Sequence, residues 1–318
     1  MSLSARSEPP GSAAGFAPFA VRVPASSANL GPGFDCVGLA LNLFTTVRVR
    51  PAAQLELVPH GAALAGTPRD ARNPVMRAFV LACERAGRPV PAVRLEVESE
   101  IPLARGLGSS AAALVAGLVA ADTCLGGPLG RERLFELASE LEGHPDNAGA
   151  ALLGGAVIAA SGESGLRYLR VTPPTRLGTL AVIPDTELLT EHARGVLPDS
   201  YSRQDAVFQL SHAALLGAAL ASGELELLAE ATRDRLHQPY RAPLIPGLAP
   251  ILEEAPRRGA LAACLSGAGP TALVLFDQER ADRDGLIEWL RAVLTQHRVP
   301  GRVVQLEVNV TGAVVSAL

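Results

Sequence analysis

Gly106-Leu107-Gly108-Ser109-Ser110 is the segment of this chain best suited to chemistry. A glycine loop there runs straight into an Ala/Leu/Val helix ending near Cys124, with Gly126 just past its end. Such a junction aims unpaired backbone N–H groups and the positive end of a helix dipole at one spot, which suits a phosphate. Glycine lets the backbone approach an anion with no Cβ in the way. A serine, expected at the cap position, can reach a phosphate oxygen or its Mg2+. The plainer reading is an ordinary capped helix. A Walker-type phosphate loop is excluded, because it needs a Gly-Lys-Ser/Thr run and all 28 cationic side chains here are arginine. The absence of lysine also excludes a Schiff base.

Other segments hold clustered polar groups. Val23 to Asp35 reads as a polar, glycine-rich loop after a strand, whose amide and carboxylate could hold a ligand or only form Asx-type turns. Glu140 to Asn147 packs carboxylates, an imidazole and an amide at a helix end: a Mg2+ ligand with acceptor-binding groups, or a solvated terminus. Leu265 to Thr271 is a tight glycine turn between two strands. It could close over phosphates or merely turn a hairpin. Arg194 and Arg241 would make a bidentate clamp for a carboxylate if they converge, whereas a single arginine is usually a surface charge. Cys36, Cys83, Cys124 and Cys264 show no C-x-x-C spacing, and no histidine pair stands at i, i+4. Structural zinc and a disulfide framework are therefore not expected, and Cys36 receives no catalytic role.

These segments need elements to position them. With 318 residues, 48% hydrophobic and 19% charged, the chain is globular and long enough for one large or two moderate domains. Its apolar stretches fall short of the ~20 residues of a membrane span. A net charge of −4 argues against a nucleic-acid or anionic-membrane footprint and towards small-molecule partners. Residues 1–17 read as a disordered tail rather than a signal peptide. Strands are expected at Val21 to Val23, Phe44 to Val49, Val93 to Val97 and Ala156 to Ala160, with helices at Pro74 to Ala86, after Gly108, and at Arg131 to Glu142. Beyond residue 170, strands are expected near Leu180 to Ile183, Leu261 to Ser266, Ala272 to Phe276 and Val303 to Val308. Helices are expected at Gln204 to Ala221, Glu224 to Arg233, Ala249 to Arg257 and Arg280 to Gln296. The division falls near residues 165 to 175, between an N-terminal domain over 18–170 and a C-terminal domain over 171–318.

Taken together, the motifs resemble a known family. The run Pro102, Leu103, Ala104, Arg105, Gly106, Leu107, Gly108, Ser109, Ser110, Ala111, Ala112 is similar to the phosphate-binding motif of the GHMP small-molecule kinases. Ser266, Gly267 and Gly269 sit in a segment resembling their C-terminal glycine motif. Pro24 to Asp35, Glu142 to Asn147, the Arg194 region and His237 to Arg241 resemble the homoserine kinase branch, in order and over nearly all the chain from Phe19.

The resemblance implies an α+β, two-domain GHMP kinase fold, with a left-handed β-α-β crossover in the N-terminal domain and a ferredoxin-like α/β sandwich in the C-terminal one. It implies transfer of the ATP γ-phosphoryl group to the side-chain hydroxyl of L-homoserine in threonine biosynthesis, by a cytoplasmic homodimer. Ser109 or Ser110 and Glu140 or Glu142 would serve Mg2+, with Ser110 and Glu142 preferred. Asn29, Asp35 and His144 would contact homoserine, Asp35 through the ammonium. Arg194 and Arg241 would hold its carboxylate, and Asn147 would lie near the attacking hydroxyl. Asp146 is expected to orient the loop rather than act as a base. Ala148-Gly149-Ala150 stands where the family commonly has Val-Ala-Pro, and is expected to loosen a turn. Two rivals remain: a GHMP kinase for an acceptor without an ammonium, which Asp35 would repel if the acceptor were purely anionic, and a silent nucleotide-binding module.

Overall fold

The computed structural model describes residues 16–163 and 165–318. The expected tail over 1–17 lies outside the described residues except for Phe16 and Ala17, and Phe16 packs edge-on against Phe19. The first half comprises β1 (Phe19–Asn29), β2 (Gly33–Pro51), β3 (Glu56–Pro59), α1 (Pro74–Arg85), β4 (Val93–Ser99), α2 (Ser109–Cys124), α3 (Gly130–Glu142), α4 (Asp146–Leu153), β5 (Ala156–Gly162) and β6 (Gly165–Val171). The second comprises β7 (Leu177–Pro184), α5 (Thr190–Gly195), α6 (Arg203–Ser222), α7 (Leu228–Ala231), α8 (Gln238–Arg241), α9 (Leu248–Glu254), β8 (Ala262–Leu265), β9 (Ala272–Asp277), α10 (Arg283–Gln296) and β10 (Gly301–Leu306). The final strand, β11 (Val314–Ala317), pairs with β1 and so returns to the first sheet.

That sheet runs β11-β1-β2-β4-β3, with β5 on the lower part of β2 and β6 outside β5. β3 and β4 pair in parallel and are joined through α1, which supplies the expected β-α-β unit. The second sheet is antiparallel in the order β10-β7-β9-β8, and its β-α-β-β-α-β succession is ferredoxin-like. No helix among the described residues is long and apolar enough to cross a membrane.

Local chemistry explains the elements around the site. Asn73 caps α1 by accepting from Val75 N at 3.0 Å, and Pro74 follows where a missing N–H costs nothing. α2 is buried on nearly every face, as its Ala/Leu/Val composition requires. Its cap differs from expectation: Gly108, with φ 68°, is the N-cap, and Ser109 is the first helical residue. The expected loop from Val23 to Asp35 is mostly strand, because β1 continues to Asn29 and β2 resumes at Gly33. Ala148-Gly149-Ala150 forms no turn; it lies inside α4, where a Cβ on Gly149 would stand 2.6 Å from the Phe135 ring. The helix expected over Glu224 to Arg233 is a 3-10 turn running into the short α7.

Candidate active site

Element ends from both halves converge on one cleft. The first half contributes the end of β1, the start of β2, the N-terminus of α2, the C-terminus of α3 and the N-terminus of α4; the second contributes α5, Arg241 of α8 and the turn between β8 and β9. Asn29, Asp35, His144, Asn147, Arg194 and Arg241 all line it. So do Ala104, Arg105, Gly106, Gly108, Ser109, Ser110, Glu142, Gly267 and Gly269. Leu107, Ala111 and Ala112 are core residues instead, and Pro102 does not border the cleft. Ser266 is buried behind the glycine loop, where its Oγ donates to Gly106 O at 2.6 Å and lies 2.8 Å from Ser27 Oγ.

Backbone geometry makes the phosphate loop. No side chain caps α2, so its first-turn N–H groups stay available to an anion at the positive end of the dipole. Both loop glycines are required: a Cβ on Gly106 would stand 2.3 Å from Ser266 O, and one on Gly108 would stand 2.1 Å from Ser26 Oγ. Both also have left-handed φ, 76° and 68°. Ala104, Asn29, Leu30 and Asp35 share that region without being glycine, so backbone strain gathers around this cleft. The Arg105 side chain is committed elsewhere. It donates to the carbonyls of Leu103, Pro184 and Asp185 and pairs with Glu187, bracing the loop against the end of β7.

Beside the helix start, Ser110 Oγ donates to Glu142 Oε2 at 2.9 Å. Burial raises the Glu142 carboxyl above its ordinary range, opposed by the Ser110 hydrogen bond and the His144 charge. Glu140 faces away, paired with Arg85 and Arg133. A hydroxyl and a carboxylate at the mouth of a phosphate loop form a hard-oxygen donor set of the kind Mg2+ takes.

On the opposite wall Asp35 and Arg194 form a two-pronged ion pair, at 2.8 and 3.0 Å. Arg241, only 1% exposed, donates from Nε to Ala193 O at 2.9 Å and from Nη1 to Gly267 O at 3.1 Å. Burial and the nearby Arg194 charge lower its pKa to about 10, so it remains cationic at neutral pH. Both guanidinium carbons sit over the Phe34 ring, 5.4 Å (Arg194) and 5.3 Å (Arg241) from its centroid. Asn29 bridges the halves: its Nδ2 donates to Gly267 O, and its Oδ1 accepts from Asp35 N, each at 3.0 Å.

Asp146 is wholly buried. Its Oδ1 accepts from Asn147 N at 2.6 Å and meets His144 Nδ1 at 2.5 Å, while Oδ2 has no hydrogen-bond partner among the described residues. Burial alone would lower the His144 pKa; the Asp146 hydrogen bond and the surrounding carboxylates outweigh it, and the net shift is upward. Asn147 accepts from Ser26 Oγ at 2.8 Å. Cys36, pushed up to about 11 by burial and by Asp146 and Asp35, is a poor nucleophile.

A feature missed by sequence reasoning adjoins the loop. Thr45, Pro59, Leu64, Pro74, Val75, Val97, Leu103 and Ala113 line a second, apolar cleft that shares Ser109 and Ser110 with the first. No local motif marks it, since its walls come from β2, β3, α1, β4, α2 and the turns between them. Thr190 and Phe34 likewise border the first cleft without having been singled out.

Comparison with known proteins agrees with this architecture. Residues 73–155 match the GHMP kinases N terminal domain and residues 216–285 the GHMP kinases C terminal domain. Homoserine kinase of Deinococcus radiodurans is 54% identical over 94% of this chain and 97% of its own, and that of Desulfitobacterium hafniense 43% identical over 93% and 99%. The crystal structure of homoserine kinase from Cytophaga hutchinsonii superposes with a TM-score of 0.85 at 27% identity, over 99% of this chain and all of that one. Fold and site together define a GHMP-type small-molecule kinase. The chain belongs to the GHMP kinase family and, within it, to the homoserine kinases.

Proposed function

We propose that this protein transfers the γ-phosphoryl group of ATP to the side-chain hydroxyl of L-homoserine, giving O-phospho-L-homoserine. One observation carries the reading: a single cleft has an uncapped helix start with Ser110 and Glu142 on one wall and a carboxylate with two arginines on the other. The first wall suits a polyphosphate, and the second suits a zwitterion. The amides of Ser109 and Ser110 would hold the phosphates, and the apolar cleft beside them would take the base of the nucleotide. Mg2+, held by Ser110 and Glu142, would neutralise phosphate charge. Asp35 would meet the acceptor's ammonium, and Arg194 and Arg241 its carboxylate, with Asn29, His144 and Asn147 fixing the chain and hydroxyl between them.

Phosphoryl transfer passes through a loose transition state, so positioning and charge neutralisation supply most of the rate. No dedicated base is assigned. Asp146 orients Asn147 and His144 through Oδ1, which supports a positioning role. Threonine biosynthesis in the cytoplasm is the setting that the kinship supports, as is a homodimer; light scattering showing a monomer would remove the last.

ATP consumption by purified protein with Mg2+ tests the reading, comparing L-homoserine with mevalonate, galactose, shikimate and no acceptor. Turnover confined to homoserine, with O-phosphohomoserine as product, is expected. Turnover with another acceptor would keep a kinase and discard the roles of Asp35, Arg194 and Arg241. ATP binding without turnover would leave a nucleotide-binding module.

A further inference from the structure

We propose that His237 is a positioning residue of the acceptor site: its neutral imidazole, protonated on Nε2, ties the turn before Asp35 to Arg241 and so sets the charges that receive the acceptor's two ends. The inference rests on the homoserine reading above and extends it to a residue that does not border the cleft.

His237 is completely buried. Its Nε2 lies 2.8 Å from Gly31 O, and its Nδ1 lies 3.3 Å from Arg241 Nη1. A carbonyl oxygen only accepts, so Nε2 must carry a hydrogen; a guanidinium only donates, so Nδ1 must offer a lone pair. One of the three protonation forms satisfies both contacts. The other neutral tautomer aims a lone pair at the carbonyl and a hydrogen at the guanidinium, and the imidazolium sets a second cation against Arg241.

The surroundings hold the neutral form. Asp234 Oδ2 is 3.6 Å from Nε2, but the Asp234 carboxylate already accepts from the backbone N–H groups of Leu236, His237 and Gln238 and from Gln209 Nε2. The charged groups acting on the ring are Asp234 and Arg241 on its own segment and Asp35 from β2, and burial, joined by the Arg241 charge, outweighs the two carboxylates and the Gly31 hydrogen bond to lower the imidazole pKa. Phe34 packs against the ring at 5.2 Å, and Gln209 also donates to Pro32 O, a second tie to the same turn. Gly31 to Gly33 joins Asn29 to Asp35, so holding the Gly31 carbonyl holds the segment that presents both residues. On the other side His237 supplies an acceptor to Arg241 Nη1, beside Gly267 O.

Steady-state kinetics of the full chain tests this with His237→Phe, His237→Gln and His237→Asn. Phenylalanine keeps the packing and removes both contacts; glutamine can reach Gly31 with a donor; asparagine can place Oδ1 where Nδ1 stood. His237→Phe is expected to raise the homoserine KM by about tenfold, the factor carried by one hydrogen bond to a charged group, with the ATP KM changed by less than about twofold. His237→Asn is expected to restore most of that loss and to surpass His237→Gln, an ordering that remains measurable if the phenylalanine variant does not fold. KM values that rise together, or asparagine and glutamine variants that both lose as much as the phenylalanine one, would assign the imidazole to packing alone, and a glutamine variant equal to or better than the asparagine one would overturn the tie to Arg241. Wild-type turnover of homoserine in the same assay is the control. Its absence removes the functional reading and this inference with it, whereas turnover with an unsplit KM pattern removes this inference alone.

Discussion

Asp146 shows how much a residue's neighbours decide about its chemistry. One oxygen is spent on Asn147 N and His144 Nδ1, and the other is buried beside the cleft without a partner among the described residues. If the carboxylate only orients those neighbours, Asp146→Asn keeps an acceptor for the Asn147 amide, and kcat should fall by less than about tenfold with the fold intact. Removal of a general base costs roughly 10²–10⁴ in rate, so a kcat loss on that scale at unchanged KM would make Asp146 the base. Arg241 gives the complementary case. Truncating one member of a buried charge pair costs roughly 2–5 kcal/mol, so Arg241→Ala should raise the homoserine KM far more than that for ATP. Equal rises would remove it from the acceptor site. The residues themselves were legible in the sequence because each sits in a short local motif. Their mutual pairing was not: Asp35 and Arg194 are 159 positions apart, and the family resemblance assigned them to opposite ends of a ligand without showing that they meet each other.

At the scale of elements, strong local signals located what they should. Asn73-Pro74 starts α1, the Ala/Leu/Val run makes α2, and alternation places β1, β2 and β4. β3, β6 and β11 escaped notice for a physical reason. They are edge strands, short or exposed, so half-burial imprints little alternation on them. The cap of α2 was misplaced by one residue because a left-handed glycine leaves no side-chain mark at the cap, while a serine stands next to it. That glycine loop carries the element-scale prediction. Gly106→Ala puts a Cβ against the Ser266 carbonyl and forces a left-handed φ on an L residue, so it should cost about 1–3 kcal/mol. Denaturant unfolding checks the loss. The ATP KM should rise as well, because relief of the clash moves the loop whose amides face the phosphates. An alanine variant with unchanged stability and unchanged ATP KM would mean that the loop is not held by the Ser266 turn.

Across the whole molecule, the two sheets share an apolar core. One face of the second sheet, through Leu177, Ala181, Ile183, Cys264, Leu273 and Leu275, belongs to the same apolar cluster as β1, β2 and α2, with α6 and α7 contributing Leu216, Leu220 and Leu228. The other face, through Leu180, Val182, Val274 and Phe276, packs on α9 and α10 as a second cluster. β7 is consequently buried along its whole length. The site sits across that shared core, with Asn29, Gly106 and Ala28 bound to the turn at Ser266 and Gly267. Heating should therefore melt the chain in one transition, and a ligand bound in the cleft should stabilise both sheets together. At one hundred times its Kd a ligand adds about 2.7 kcal/mol. For a chain of this size that raises Tm by several degrees, at roughly 2–4 °C per kcal/mol. Scanning calorimetry with Mg2+ and a non-hydrolysable ATP analogue checks this. Two transitions, or a shift in only part of the heat absorbed, would show that the halves fold independently and that the cleft closes between bodies free to move.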